Sequence, residues 1–165
     1  MARKAAKGAY APYSGYRVGA ALVAEDGAVF TGCNVENAAY GSTMCAERVA
    51  LYKAVSEGRR KFVMLALAAG TDSVGVPCGA CLQALAEFCD GDLTLTCATL
   101  TGGVRSQGSG ASKRTASGGK TRVFTLRELL PEVFSRQSFV VTRHSKRKSN
   151  DERRVTNDDQ SKGIR

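Results

Sequence analysis

Cys45-Ala46-Glu47 and Pro77-Cys78-Gly79-Ala80-Cys81 place three thiols and one carboxylate in two short runs, roughly thirty residues apart in a chain of 165. Three protein ligands leave a tetrahedral Zn²⁺ with one open position, where water binds and becomes acidic. A carboxylate close by that is not a ligand can then carry the water's proton. Cys45, Cys78 and Cys81 are the candidate ligands and Glu47 is the candidate general acid/base.

A single Cys-x-x-Cys also fits a redox motif, a structural zinc site or ordinary buried thiols. Structural zinc usually takes four protein ligands, commonly from two Cys-x-x-Cys or Cys/His pairs. Here the one histidine, His144, lies in a polar tail, and Cys33, Cys89 and Cys97 sit in apolar stretches without paired spacing. Three thiols beside a glutamate therefore favour a catalytic metal over a scaffolding one.

At 165 residues the chain is read as one domain with a substantial core. No apolar run approaches the roughly 20 residues that span a bilayer. The opening Met-Ala-Arg-Lys-Ala-Ala-Lys-Gly has charge but no following apolar stretch, so it does not read as a secretory signal. Thiols kept for metal point to a reducing, cytoplasmic compartment. The net charge of +9 suggests nucleic acid at first sight, but its location argues against that partner. Residues 1–100 hold 9 basic and 9 acidic side chains; residues 101–165 hold 15 basic against 6 acidic, in Gly/Ser-rich and polar sequence without a patterned face.

The elements that must position the cysteines can be read from periodicity. Residues 17–24 and 28–35 read as strands joined at Glu25-Asp26-Gly27, where Asp-Gly suits a tight turn. Residues 44–57 read as a helix, with Val49, Leu51, Tyr52 and Val55 near helical spacing and Gly58 as its stop. The unbroken apolar run 62–69 reads as a strand covered on both faces. A helix at about 78–89, a strand at 93–99 and a short helix before Pro131 follow. Alternating helices and buried strands predict an α/β domain with a mixed sheet. Residues 101–122 read as a flexible Gly/Ser/basic insertion, with order resuming at Val123. The domain is placed at 1–134, followed by a basic, mostly disordered extension over 135–165, in which the apolar run 138–142 has no assigned role.

Both ligand runs fall at helix starts, where unpaired N–H groups and partial positive charge steady thiolates. Pro77 suits the position before a helix, and Gly79 is read as allowing close backbone approach to the metal. Three thiolates and Zn²⁺ leave one net negative charge, which Arg48 can offset by hydrogen-bonding two sulfurs. Glu47 is about 200° around an ideal helix from Cys45, so it reads as a proton carrier in the first turn and not as a ligand. Period-2 alternation in Asn34-Val35-Glu36 puts Asn34 and Glu36 on one face, able to hold two sugar hydroxyls, with Val35 toward the core.

Together with these runs, Ala9-Tyr-Ala-Pro-Tyr-Ser14, Val18-Gly-Ala-Ala-Leu22, Gly32-Cys-Asn-Val-Glu-Asn-Ala-Ala-Tyr40, Cys45-Ala-Glu-Arg48, Lys53-Ala-Val-Ser-Glu-Gly58 and Glu128-Leu-Leu-Pro131 closely resemble the cytidine deaminases of the small homotetrameric type. The cysteine pattern also matches the general zinc-deaminase signature, with Cys45 where histidine often stands. The resemblance covers residues from about 9 to 134 with one interruption. It implies a three-layer α/β/α sandwich around a five-stranded mixed sheet and hydrolytic deamination of cytidine and deoxycytidine in pyrimidine salvage. Residue by residue it implies zinc on Cys45, Cys78 and Cys81, proton transfer by Glu47, and ribose held by Asn34 and Glu36. The Ala46 backbone N–H would meet the pyrimidine carbonyl, Tyr16 would lie over the base, and Tyr40 and Phe134 would approach a neighbouring subunit's site in a homotetramer. Tyr16 stands where phenylalanine is usual and Leu82 where arginine is common. Two other readings stay open at this stage: a deaminase of the same fold acting on another amine such as blasticidin S, and a zinc-bearing RNA-binding or structural protein.

Overall fold

A computed structural model of the chain describes residues 1–101, 113–114 (backbone) and 119–135. Helix α1 (Ala2–Ala5) continues into a 3₁₀ turn, and β1 (Val18–Ala24) and β2 (Val29–Cys33) form a hairpin. Then come α2 (Ala46–Ser56), β3 (Phe62–Ala69), α3 (Gly79–Ala86), β4 (Thr94–Ala98), β5 (Lys113–Arg114), β6 (Lys120–Thr125) and α4 (Leu126–Leu129). The hairpin turn forms as its residues require: Gly27 takes φ of +84°, and Asp26 Oδ1 accepts the Ala28 N–H at 3.0 Å.

The strands lie in the order β2-β1-β3-β4-β6-β5. β1 pairs antiparallel with β2 and β3, β3 pairs parallel with β4, and β4 pairs antiparallel with β6. Five strands of five to eight residues thus form the expected mixed sheet, and the two-residue β5 adds to its edge.

Helices flank both faces, as a three-layer sandwich requires. One face packs Ala20, Leu22, Leu65, Leu67, Leu95 and Cys97 against α2, α3 and α4 through Leu51, Leu82, Leu85 and Leu126. On the other, α1 sets Ala2 over Ala21 and Ala68. Leu82, where the family resemblance leads one to expect arginine, is a buried core residue.

Four expectations are corrected. The buried face of α2 is Ala46, Glu47, Ala50, Leu51 and Ala54, while Tyr52 is exposed. Small alanines win there because the helix lies close on the sheet and leaves little room for larger side chains. β3 is covered on both faces only toward its C-terminal end; Val63 and Met64 are exposed. β6 begins at Lys120, inside the span read as an insertion, because pairing with β4 orders residues whose composition alone gives no strand signal. Val35 faces solvent at 45% exposure, and it is its polar neighbours Asn34 and Glu36 that are buried. Asn34 and Glu36 do share one side, as alternation predicts, but that is the covered side, because residues 13–18 lie against it. Residues 102–112 and 115–118 of the insertion, and residues 136–165 with the 138–142 run, lie outside the described residues; of 113–114 only the backbone is described, as noted above. Among the described residues no helix is long and apolar enough to cross a membrane.

Candidate active site

Cys45 is the N-cap of α2 and Cys78 is the N-cap of α3. Neither side chain hydrogen-bonds to cap its helix, so both sulfurs remain available. Cys81 lies in the first turn of α3 and is fully buried. The three Sγ atoms lie within 4.8 Å of one another, with Cys45 and Cys78 3.9 Å apart. Three soft sulfur donors converging at two helix N-termini fit zinc. A Cβ built on Gly79 would meet no protein atom within 4 Å.

Electrostatics single out one thiol. The hydrogen bond from the Cys81 thiol, helped by Arg48 and opposed by burial, holds the Cys45 pKa down to about 5. The same hydrogen bond keeps the proton on Cys81 and pushes that thiol's pKa well up. Metal binding needs all three as thiolates and so releases protons. Arg48 is where the charge argument puts it. Its Nη2 donates to Cys45 Sγ at 3.7 Å, and its bonds to the Cys45 and Cys81 sulfurs raise its own pKa further.

Glu47 is only 4% exposed, in the first turn of α2. Burial pushes its pKa up to about 7, with the Cys45 charge adding to the rise. Its Oε2 is buried with no hydrogen-bond partner among the described residues. An unpaired buried carboxylate oxygen is costly and calls for a ligand. Ala46, beside it, is fully buried at the first helical position, where the backbone N–H has no intrahelical acceptor.

The backbone that carries Asn34 and Glu36 is tied at Val35 to the residue before Cys45. Val35 exchanges both backbone hydrogen bonds with that residue, Met44, each at 2.9 Å. On its other side the chain bonds to Tyr10, through Tyr10 N to Asn34 O at 3.0 Å and Glu36 N to Tyr10 O at 2.8 Å. Both side chains are already engaged. Asn34 Oδ1 accepts from Val18 N at 2.8 Å, and its Nδ2 donates to Tyr16 O at 2.9 Å. Glu36 Oε2 accepts from Tyr13 N at 3.0 Å and Ser14 N at 3.2 Å, and its Oε1 accepts from the Ser14 hydroxyl. The Ser14 hydrogen bond holds the Glu36 carboxyl below its ordinary pKa.

Tyr16 is 47% exposed, and its hydroxyl lies against Gly70 and Gly75, in the loop leading to Pro77 and Cys78. A Cβ on Gly75 would stand 2.7 Å from that oxygen. Tyr40 opens a 3₁₀ turn at 72% exposure. The Phe134 carbonyl accepts from Gln83 Nε2 of α3 at 2.7 Å, while the residue as a whole is 59% exposed. The sequence reading includes Ser14 in the resemblance but gives it no role of its own, although a serine ahead of a glycine, two residues before Tyr16, is the pattern of a hydroxyl-capped turn. A cavity of 460 Å³ lined by Arg60, Lys61, Phe62, Phe88 and Cys89, among others, includes none of the three ligand cysteines.

Comparison with known proteins agrees with this geometry. Residues 1–97 match the model of the cytidine and deoxycytidylate deaminase zinc-binding region. The cytidine deaminase of Sporosarcina psychrophila is 44% identical over 135 residues, which cover 82% of this chain and 87% of that one. That of Halalkalibacterium halodurans is also 44% identical, over 132 residues, 80% of this chain and 87% of that one. The crystal structure of the Burkholderia pseudomallei cytidine deaminase superposes with a TM-score of 0.66 at 41% identity, covering 81% of this chain and 93% of that one. With its family model matched over more than half its length and its three cysteines converging at two helix starts, this chain belongs to the cytidine and deoxycytidylate deaminase zinc-binding family.

Proposed function

We propose that this protein deaminates cytidine and deoxycytidine to uridine and deoxyuridine, consuming water and releasing ammonia. The observation that carries the reading is the convergence of three Sγ atoms within 4.8 Å beside a buried glutamate with one unpartnered oxygen. Cys45, Cys78 and Cys81 would hold the zinc. Bound there, it supplies the Lewis acidity that makes water nucleophilic near neutral pH. Arg48 withdraws charge from the sulfurs, which counters the loss of Lewis acidity that three thiolates impose.

Glu47 would take a proton from water and pass it to ring nitrogen N3 as the water oxygen adds to C4, then take the proton of the new C4 hydroxyl and pass it to the amine, which leaves as ammonia. Burial keeps its carboxylate out of bulk water, so the proton stays on the pathway. The Ala46 N–H donates to the pyrimidine carbonyl, Tyr16 packs on the nucleoside, and Asn34 and Glu36 bind the pentose through the hydrogen-bonding positions their loop contacts leave free. The exposure of Tyr40 and Phe134 supports a homotetramer in which each reaches a neighbour's site. We further infer a cytoplasmic enzyme of pyrimidine salvage that acts on nucleosides and not on nucleic acid; reduced thiols are maintained in that compartment.

The test is an ultraviolet assay of cytidine loss beside a zinc determination, with cytosine and blasticidin S as competing substrates. Turnover of cytidine with about one zinc per chain supports the reading. Zinc without turnover of cytidine, or faster turnover of blasticidin S, overturns it.

A further inference from the structure

The segment from Tyr13 to Tyr16 belongs to no strand or helix. Its Gly15 takes φ of +68° and donates its N–H to Ala11 O at 3.0 Å. The segment is exposed, so hydrophobic packing does not fix it. What fixes it are two buried polar side chains about twenty residues further along the chain, Asn34 and Glu36.

One group joins these contacts into a unit. The Ser14 hydroxyl donates to Glu36 Oε1 and accepts the Tyr16 N–H at 2.9 Å. Tyr16 is thus held at both ends of its backbone: its N–H by Ser14 and its carbonyl by Asn34. An ionised carboxylate offers about four acceptor positions. Tyr13 N, Ser14 N and the Ser14 hydroxyl fill three of Glu36's, and the one left is on Oε1, the oxygen that Ser14 touches through its side chain.

We propose that Ser14 is a positioning residue for substrate, its hydroxyl fixing the direction of the free Glu36 acceptor and the placement of Tyr16 at once. The proposal rests on the reading that Glu36 and Tyr16 contact the nucleoside. Without the hydroxyl, Oε1 loses its donor and the carboxylate can turn about its side-chain torsions. The Tyr16 N–H loses its acceptor in the same step. Both losses weaken a hold on the sugar and base that exists in the ground state as much as in the transition state, so KM should rise while kcat stays.

The experiment compares Ser14→Ala, Ser14→Thr, Glu36→Gln and the Ser14→Ala/Glu36→Gln double variant. For each, kcat and KM for cytidine are read beside zinc content and melting temperature. Ser14→Ala should raise KM about tenfold, the scale of one lost hydrogen bond to a charged group, with kcat within about twofold and zinc unchanged. Ser14→Thr retains a hydroxyl and should restore KM. In the Glu36→Gln background the Ser14→Ala effect should shrink to about twofold, because the group it acts through is already altered. An unchanged KM in Ser14→Ala, or the same fold-change with Glu36 intact and replaced, overturns the role of Ser14. A normal KM in Glu36→Gln overturns the substrate contact of Glu36 itself, a separate failure visible without any change at Ser14.

Discussion

Gly32 of β2 lies so close beneath α2 that a Cβ on it would stand 2.6 Å from the backbone nitrogen of Ala50. The carbonyl of Ala46 presses on the same point. Strand and helix backbones therefore meet directly, and this contact sets the height at which the first turn of α2, with Cys45 and Glu47, stands above the sheet. Gly32→Ala should lower stability by about 1–3 kcal/mol, the cost of overpacking a tight contact. The urea midpoint measures it, and zinc content should fall with it as Cys45 is displaced. A wild-type midpoint would show that the two backbones separate at no cost.

The metal set can be tested one ligand at a time. Cys78→Ser replaces a thiolate with a poor zinc ligand at an exposed N-cap, where the hydroxyl remains a good helix start. The fold should persist by circular dichroism, while both zinc and cytidine turnover are lost. Retention of stoichiometric zinc in this variant would place the metal elsewhere.

Glu47→Gln keeps the shape of the side chain and removes its ability to carry a proton. Zinc should stay bound, and kcat should fall by about 10²–10⁴-fold, the range for a general acid/base group. Because the substitution also removes a buried charge whose Oε2 lacks a partner, the melting temperature should hold or rise. Turnover close to normal would remove Glu47 from the chemistry.

Phe134 is tied to its own α3 by its backbone, yet it stands largely exposed. If it completes a neighbour's site, two inactive variants should complement each other. Glu47→Gln and Phe134→Ala chains, mixed under conditions of subunit exchange, should form some sites with an intact Glu47 and an intact Phe134 and regain part of the activity. With exchange verified by mass spectrometry, activity equal to the sum of the parents would mean that each chain works alone.

The sequence by itself determined what depends on local spacing and local hydrogen bonding. Cys45 and Cys78 stand at helix N-caps because an N-cap is a local event, and β3 begins and ends where its apolar run does. Asp26-Gly27 turns the hairpin for the same reason: its backbone angles and its Asp26–Ala28 bond involve only near neighbours. The three-thiol set with its glutamate was legible from spacing and chemistry alone.

Tertiary structure decided everything that depends on partners distant in the chain. Val35 reads as a core residue; it is exposed because the side of the chain that is covered is the one carrying Asn34 and Glu36, against which residues 13–18 lie, and alternation alone does not say which side that is. Asn34 and Glu36 were legible as a polar pair, but their engagement with Tyr13, Ser14, Tyr16 and Val18 spans 16 to 23 residues. The alanine face of α2 follows from the direct approach of Gly32, and the early start of β6 follows from pairing with β4. A side chain's burial is set by the surface it meets, and that surface exists only once the sheet and helices have assembled.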